Sequence, residues 1–182
     1  MCSERVKSVV RATSRRARGF TLVEMLIVMV ALGVLSAIVL PRFSDASHIA
    51  RANTLKDELR YLRTQVAMFK AQHEGVAPGY PKGNTQAIPT AEDFRQQMTS
   101  ASDARCNMGE PSPAYQFGPY LQKMPQNPLN GLDTVWVVPN DQPAAKAVKP
   151  DDSTGWIYRP QTLEIIPNSS GVDADGTRYI DY

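Results

Sequence analysis

Cysteine and histidine are almost missing from this 182-residue chain, with two of each. Cys2 sits in a basic N-terminal segment, and two cysteines alone, one of them in that segment, exclude a disulfide framework. The fold is then held by packing, with a bound metal as the remaining alternative. His48 and His73 lie far apart on one long helical pattern and are expected to be solvated helix residues rather than ligands or bases. Catalytic signatures are missing as well: there is no G-x-S-x-G, H-E-x-x-H, P-loop, C-x-x-C or Rossmann glycine pattern. Acidic residues are scarce at the start, where Arg5, Lys7, Arg11, Arg15, Arg16 and Arg18 face Glu4 alone. The formal net charge of +2 comes from that segment; without it, 14 basic residues face 17 acidic ones, a net charge of −3. Nucleic-acid binding is therefore not expected, and no internal repeat is present.

One long apolar run organises the chain. Residues 20–40, FTLVEMLIVMVALGVLSAIVL, are apolar or small apart from Glu24. As a helix they measure roughly 30 Å, the thickness of a bilayer's hydrocarbon core. The basic segment before them keeps the N-terminus in the cytoplasm, so everything after residue 40 lies outside. Glu24 stands one turn into this span, where an ionisable group costs several kcal/mol without a partner and is usually functional. A conventional secretory signal has a shorter apolar region with the small-residue cleavage site behind it, whereas here Gly19 comes in front. Ser14-Arg15-Arg16 has the look of a twin-arginine signal, but Arg18 and Gly19 stand where apolar residues belong. A plain one-pass anchor has no need of Glu24.

A basic leader ending in Gly19, followed by Phe20-Thr21-Leu22-Val23-Glu24 and an apolar helix, resembles the N-terminus of type IV pilins and of the major pseudopilins of type II secretion. The resemblance implies that a prepilin peptidase cuts after Gly19 and methylates Phe20. It implies that Glu24 pairs with a neighbouring subunit's free amino terminus during filament assembly, which also relieves its energetic problem, since a carboxylate and an ammonium are tolerable together in low dielectric. Pro41 matches a helix-kinking proline of the family.

Beyond Pro41 the helical pattern continues. Ile49, Ala52, Leu55, Leu59, Leu62, Val66 and Phe69 follow at steps of three or four, with Arg51, Lys56, Asp57, Arg60, Arg63 and Lys70 on the other faces. Gly75 and Pro78 end it. One helix over 20–73 is expected, with a kink or local melting at 37–41 where a proline removes a backbone hydrogen bond. A coiled coil is the competing reading of the same spacing, but it lasts only about three heptads. From Gly75 to Gly131 prolines and glycines leave room for loops and one short helix at 91–99, with Thr90 and Asp93 at capping-box spacing and Phe94 and Met98 as its apolar face. Residues 120–128, YLQKMPQNP, resemble a turn of the major pseudopilins in which Asn127 stands where Asp is usual. Strands are expected at 134–138 and within 155–166, turning at Arg159-Pro160-Gln161-Thr162, in a small antiparallel sheet that buries Trp136, Trp156 or Tyr158, Leu163 and Ile165. Residues 140–153 read as an exposed, mobile loop. The tail, VDADGTRYIDY, places Asp173 and Asp175 at a glycine turn with Asp181 in reach as a third oxygen ligand for Ca²⁺, and the resemblance implies a calcium site in this loop.

The fold class expected is α+β: a leader at 1–19, a transmembrane and assembly helix at 20–40, its amphipathic continuation at 41–74, and a loop-rich domain at 75–182 with a short helix and a small antiparallel sheet, the pilin fold. The function expected is that of a structural subunit, not an enzyme, polymerising into the periplasmic filament of a type II secretion machine. Its partners would be copies of itself or other pseudopilins, the prepilin peptidase, an inner-membrane assembly platform and membrane lipid. The alternatives are a type IV or competence pilin for adhesion or DNA uptake, and a membrane-anchored exported enzyme or sensor. The location is the bacterial inner membrane, single-pass, with the C-terminal domain in the periplasm or outside.

Overall fold

The computed structural model describes residues 19–142 and 148–182, with the side chains of 37–45 outside that description. The expected leader therefore lies outside it except for Gly19. By internal contacts the chain divides into two units, Met1–Phe43 and Ser44–Tyr182.

Helix α1 runs over Leu22–Gln72, 51 residues. It starts where a cap allows: the Thr21 hydroxyl accepts from the Glu24 N–H at 3.1 Å, and the Thr21 N–H points back to the Glu24 carboxylate at 3.4 Å, a reciprocal capping box that satisfies two orphan donors. In the first unit the described apolar side chains are exposed on all sides, among them Leu22 at 91% and Leu35 at 57%. Among the described residues no helix is long and apolar enough to cross a membrane. The described apolar side chains, 22–36, make roughly 22 Å of helix against about 30 Å of hydrocarbon core, and the rest of the expected span, 37–40, lies outside the description. The helical assignment continues without interruption through Pro41, so the local melting expected there does not occur; the proline's side chain is among those not described.

The second unit is built on the rest of α1. Leu55, Leu59, Leu62, Val66 and Phe69 are 0–1% exposed, as the stripe requires, and each buried side chain of this size contributes about 1.5–3 kcal/mol. Ile49 breaks the expectation at 49% exposed, because its neighbours across the surface are Asp173, Ala174 and Asp175 of the acidic tail rather than an apolar element. The helix closes when the Gly75 N–H returns to the Lys70 carbonyl at 3.0 Å, with Glu74 at φ 53° and Gly75 at φ 82°, the left-handed exit of a Schellman-type end. Helix α2, Ala91–Thr99, has the expected cap: the Thr90 hydroxyl accepts from the Asp93 N–H, and Phe94 and Met98 are fully buried.

Among the described residues five short strands follow in order. β1 (Ala101–Ser102) and β2 (Met108–Gly109) form an antiparallel pair that the proline-rich sequence does not announce. β3 (Val135–Val137), β4 (Trp156–Arg159) and β5 (Glu164–Pro167) make the main sheet in the order β3-β4-β5. β4 and β5 are antiparallel, with Ile157 opposite Ile166, as the turn between them dictates. β3 pairs with β4 in parallel, Val135 opposite Trp156, so the sheet is mixed rather than wholly antiparallel. The long connection from Val138 to Gly155 carries the chain back to its starting edge, the length a parallel pairing needs and a hairpin does not. Gly155 permits the close approach, since a Cβ there would lie 2.1 Å from the Leu132 carbonyl oxygen.

Both faces of this sheet are covered. Val135, Val137, Trp156, Tyr158 and Ile165 join the α1 stripe and α2 in the main core, with Leu163 half-buried at its margin. Ile157, Ile166 and Val138 form a second cluster with Ile180 of the C-terminal 3₁₀ turn, Tyr179–Asp181, and with Val148. Trp136, expected inside, points outward at 38% exposed, because one strand alternates and Val135 and Val137 hold the inner positions. The loop at 140–153 is ordered at its end: the Asp151 N–H donates to the Asn168 side-chain oxygen at 3.0 Å, and the Asn168 amide donates to Asp151 and Thr154.

Candidate functional site

Three places carry the residues singled out from sequence. At the start of α1, Gly19 is exposed with open space around it and Phe20 is 73% exposed. Glu24 meets its own Thr21 and, among the described residues, no cation. A carboxylate at the third helical position is favoured by the positive end of the helix dipole. Pro41 stands within α1 with no described side-chain environment.

The third place is the tail, which packs back against α1. The strand-like bridge of Val172 to Arg178 closes a tight turn in which the Asp173 carboxylate accepts backbone N–H groups from Asp175 and Thr177, both at 2.9 Å. Its other oxygen accepts the Tyr182 hydroxyl at 2.6 Å and lies 3.8 Å from the Lys56 ammonium. The Tyr182 hydroxyl is the largest influence holding Asp173 below the usual carboxylate range, with the two backbone donors and Lys56 adding to it. The Lys56 ammonium also lies over the Tyr182 ring, 4.4 Å from its centre. Asp181 turns the other way and takes both arms of the Arg178 guanidinium, at 2.8 and 3.0 Å. Asp175 is exposed. Among the described residues no group of three His, Cys, Asp or Glu side chains is placed to hold a metal ion. Asp173, Asp175 and Asp181 thus do not converge, and the donor set that Ca²⁺ needs, six to eight oxygens around one point, is not assembled by them.

Several residues have roles that the sequence reading did not assign. His73 is fully buried, against the expectation of a solvated side chain. Its ring stacks on Phe69 at 3.8 Å, Nδ1 lies 2.7 Å from the Phe69 carbonyl oxygen and Nε2 lies 2.9 Å from the Ser102 hydroxyl. The carbonyl can only accept, so Nδ1 carries the proton and Ser102 donates to Nε2. The signal was present: His73 continues the stripe one step of four beyond Phe69. A serine hydrogen-bonded to histidine is the pairing of a nucleophile with its base, but both side chains are fully enclosed, and no substrate reaches them. Asn127 is a buried hub whose amide donates to the Gly155 carbonyl at 2.8 Å and the Ser169 hydroxyl at 2.9 Å while its oxygen accepts from the Leu129 N–H. Only the amide form of this side chain can donate to Gly155. Arg63 donates to the carbonyls of Ile165 and Tyr182, at 3.1 and 2.6 Å; burial lowers its pKa and Glu164 opposes that.

Residues 14–40 match the family described as the prokaryotic N-terminal methylation motif, a stretch that contains Gly19, Phe20 and Glu24. The chain is 32% identical to type II secretion system core protein G of Klebsiella pneumoniae over 114 residues, which is 63% of this chain and 70% of that protein. It is 26% identical to the Aeromonas hydrophila protein of the same name over 115 residues, 63% of this chain and 68% of that one. Type IV narrow pilus major component PilA5 of Thermus thermophilus is 38% identical over 61 residues, 34% of this chain and 53% of its own length. No solved structure matches the chain.

Proposed function

The chain belongs to the family of type II secretion system core protein G, and from that premise we propose that it is a pseudopilin, a structural subunit of the periplasmic filament of a type II secretion machine. The observation that carries this is the match to core protein G, which extends past the N-terminal helix into the globular part, whereas the pilus match covers about a third of the chain. Polymerisation with copies of itself or with other pseudopilins is supported by the apolar surface of the first unit, which a neighbouring helix or lipid must cover. Processing by a prepilin peptidase after Gly19, with methylation of Phe20, is supported by the motif match and by the exposure of that peptide. Before assembly the helix from Phe20 onward anchors the subunit in the inner membrane, N-terminus in the cytoplasm and C-terminal domain in the periplasm, and an assembly platform there extracts it.

In this reading Glu24 does two things. Its backbone and one oxygen cap α1 through Thr21, and its charge meets the free amine of a processed neighbour. Deleting the chain in its host should stop export of proteins across the outer membrane and leave surface pili unchanged. Loss of pili or of DNA uptake with export intact would replace this reading with that of a type IV or competence pilin. Intact mass of the membrane-extracted protein should show Phe20 as the first residue, carrying one methyl group.

A further inference from the structure

We infer that the C-terminal loop of this chain is fastened to α1 by the protein's own donors rather than by calcium, with the Lys56 ammonium standing where a metal ion would serve. An ionised carboxylate offers about four acceptor positions. Three of those of Asp173 are filled by hydrogen bonds from within the chain, from the Asp175 and Thr177 N–H groups on one oxygen and the Tyr182 hydroxyl on the other, and the Lys56 ammonium stands 3.8 Å from that second oxygen. Its backbone carbonyl is taken too, by the Gly176 N–H at 3.1 Å. The Asp173 side chain is only 6% exposed, so no further oxygen donor or hydrated ion approaches it without displacing one of these. A divalent cation on Asp173 would also stand against an ammonium 3.8 Å from the same oxygen, a like-charge encounter that a site of this exposure does not screen well.

Of the other two carboxylates of the tail, Asp181 is held by both arms of Arg178 and Asp175 is exposed. A second cation, Arg63, holds the chain end by donating to the Tyr182 carbonyl and to Ile165 of β5. Three cationic side chains therefore set the tail: Lys56 and Arg63 from α1, and Arg178 within the turn. What they position is Ile180 and Tyr179, which close the outer and inner faces of the sheet respectively. The lock belongs to the fold and holds whichever filament the subunit builds.

The test is thermal unfolding of the full-length chain in detergent, with chelator and with millimolar CaCl₂. The wild-type melting temperature should be the same in both within about 1 °C, whereas a saturating ion would raise it by several degrees. Lys56→Met keeps the aliphatic stem and removes the charge; it should lower the melting temperature by about 1–3 °C in both conditions, the modest effect of a half-exposed ion pair. Tyr182→Phe should lower it by about 5 °C, since a charge-assisted hydrogen bond to a nearly enclosed oxygen is lost. The double variant should fall by less than the sum, because both donors act on one oxygen. Asp175→Ala should change nothing. A calcium-dependent rise of several degrees that Asp175→Ala removes would overturn the inference, as would wild-type stability in both Lys56→Met and Tyr182→Phe.

Discussion

Glu24 is the residue on which the assembly mechanism and the helix cap make different demands, and two substitutions separate them. Glu24→Gln keeps an acceptor oxygen for the Thr21 N–H, so the capping box survives with a loss of a few tenths of a kcal/mol. Glu24→Leu removes that acceptor but not the stronger half of the box, because the Thr21 hydroxyl accepts from the backbone N–H of residue 24 at 3.1 Å, whatever its side chain. The bond lost is the longer one, at 3.4 Å and exposed, so Leu costs the helix end under about 1 kcal/mol. Neither loss can unfold α1 or expel it from a bilayer; removing an ionised group from an apolar span is worth a few kcal/mol in the favourable direction. If the charge meets a neighbour's amine, each variant leaves that amine buried and unpaired, which costs about 3–5 kcal/mol per contact, a factor of about a hundred to a few thousand in association. Both variants should therefore insert, be processed and accumulate, and both should fail to crosslink with wild-type subunits in the membrane. Filaments at wild-type yield from Glu24→Gln with reduced yield from Glu24→Leu would show that capping is the whole role of this residue.

Stability should depend on pH through His73, whose burial lowers its pKa below the usual 6.5, with the Phe69 carbonyl and Asp103 in partial opposition. The folded state holds the neutral ring and the unfolded state protonates first, so stability is complete above about pH 6.5 and declines as the pH falls through and below it, at up to about 1.4 kcal/mol per unit; His73→Phe should flatten that slope in a melting series from pH 7 to 5. Asn127→Asp should destabilise by about 3 kcal/mol, since a carboxylate cannot donate to the Gly155 carbonyl and is itself enclosed, and denaturant unfolding should show a lower midpoint with an unchanged slope. Leu62→Ala, at a position with no exposure, should cost about 2–5 kcal/mol without affecting processing at Gly19.

The sequence by itself determined whatever depends on local spacing. The stripe from Ala52 to Phe69, the cap of α2 at Thr90 and the β4–β5 turn all follow from residues within a few positions of each other and stand where the spacing puts them, whereas Ile49, the first residue of the expected stripe, is exposed. The same spacing carries the stripe onto His73, which was expected in solvent and is buried. What only the tertiary structure decided rests on distant partners. Whether β3 joins β4 in parallel or antiparallel depends on the path of the connection between them, and no property of Val135-Trp136-Val137 distinguishes the two pairings, although the choice of face turned Trp136 outward. The setting of Asp173 was decided in the same way: Lys56 is more than a hundred positions away along the chain, and only the fold brings its ammonium, the Tyr182 hydroxyl and the Asp173 carboxylate to one point.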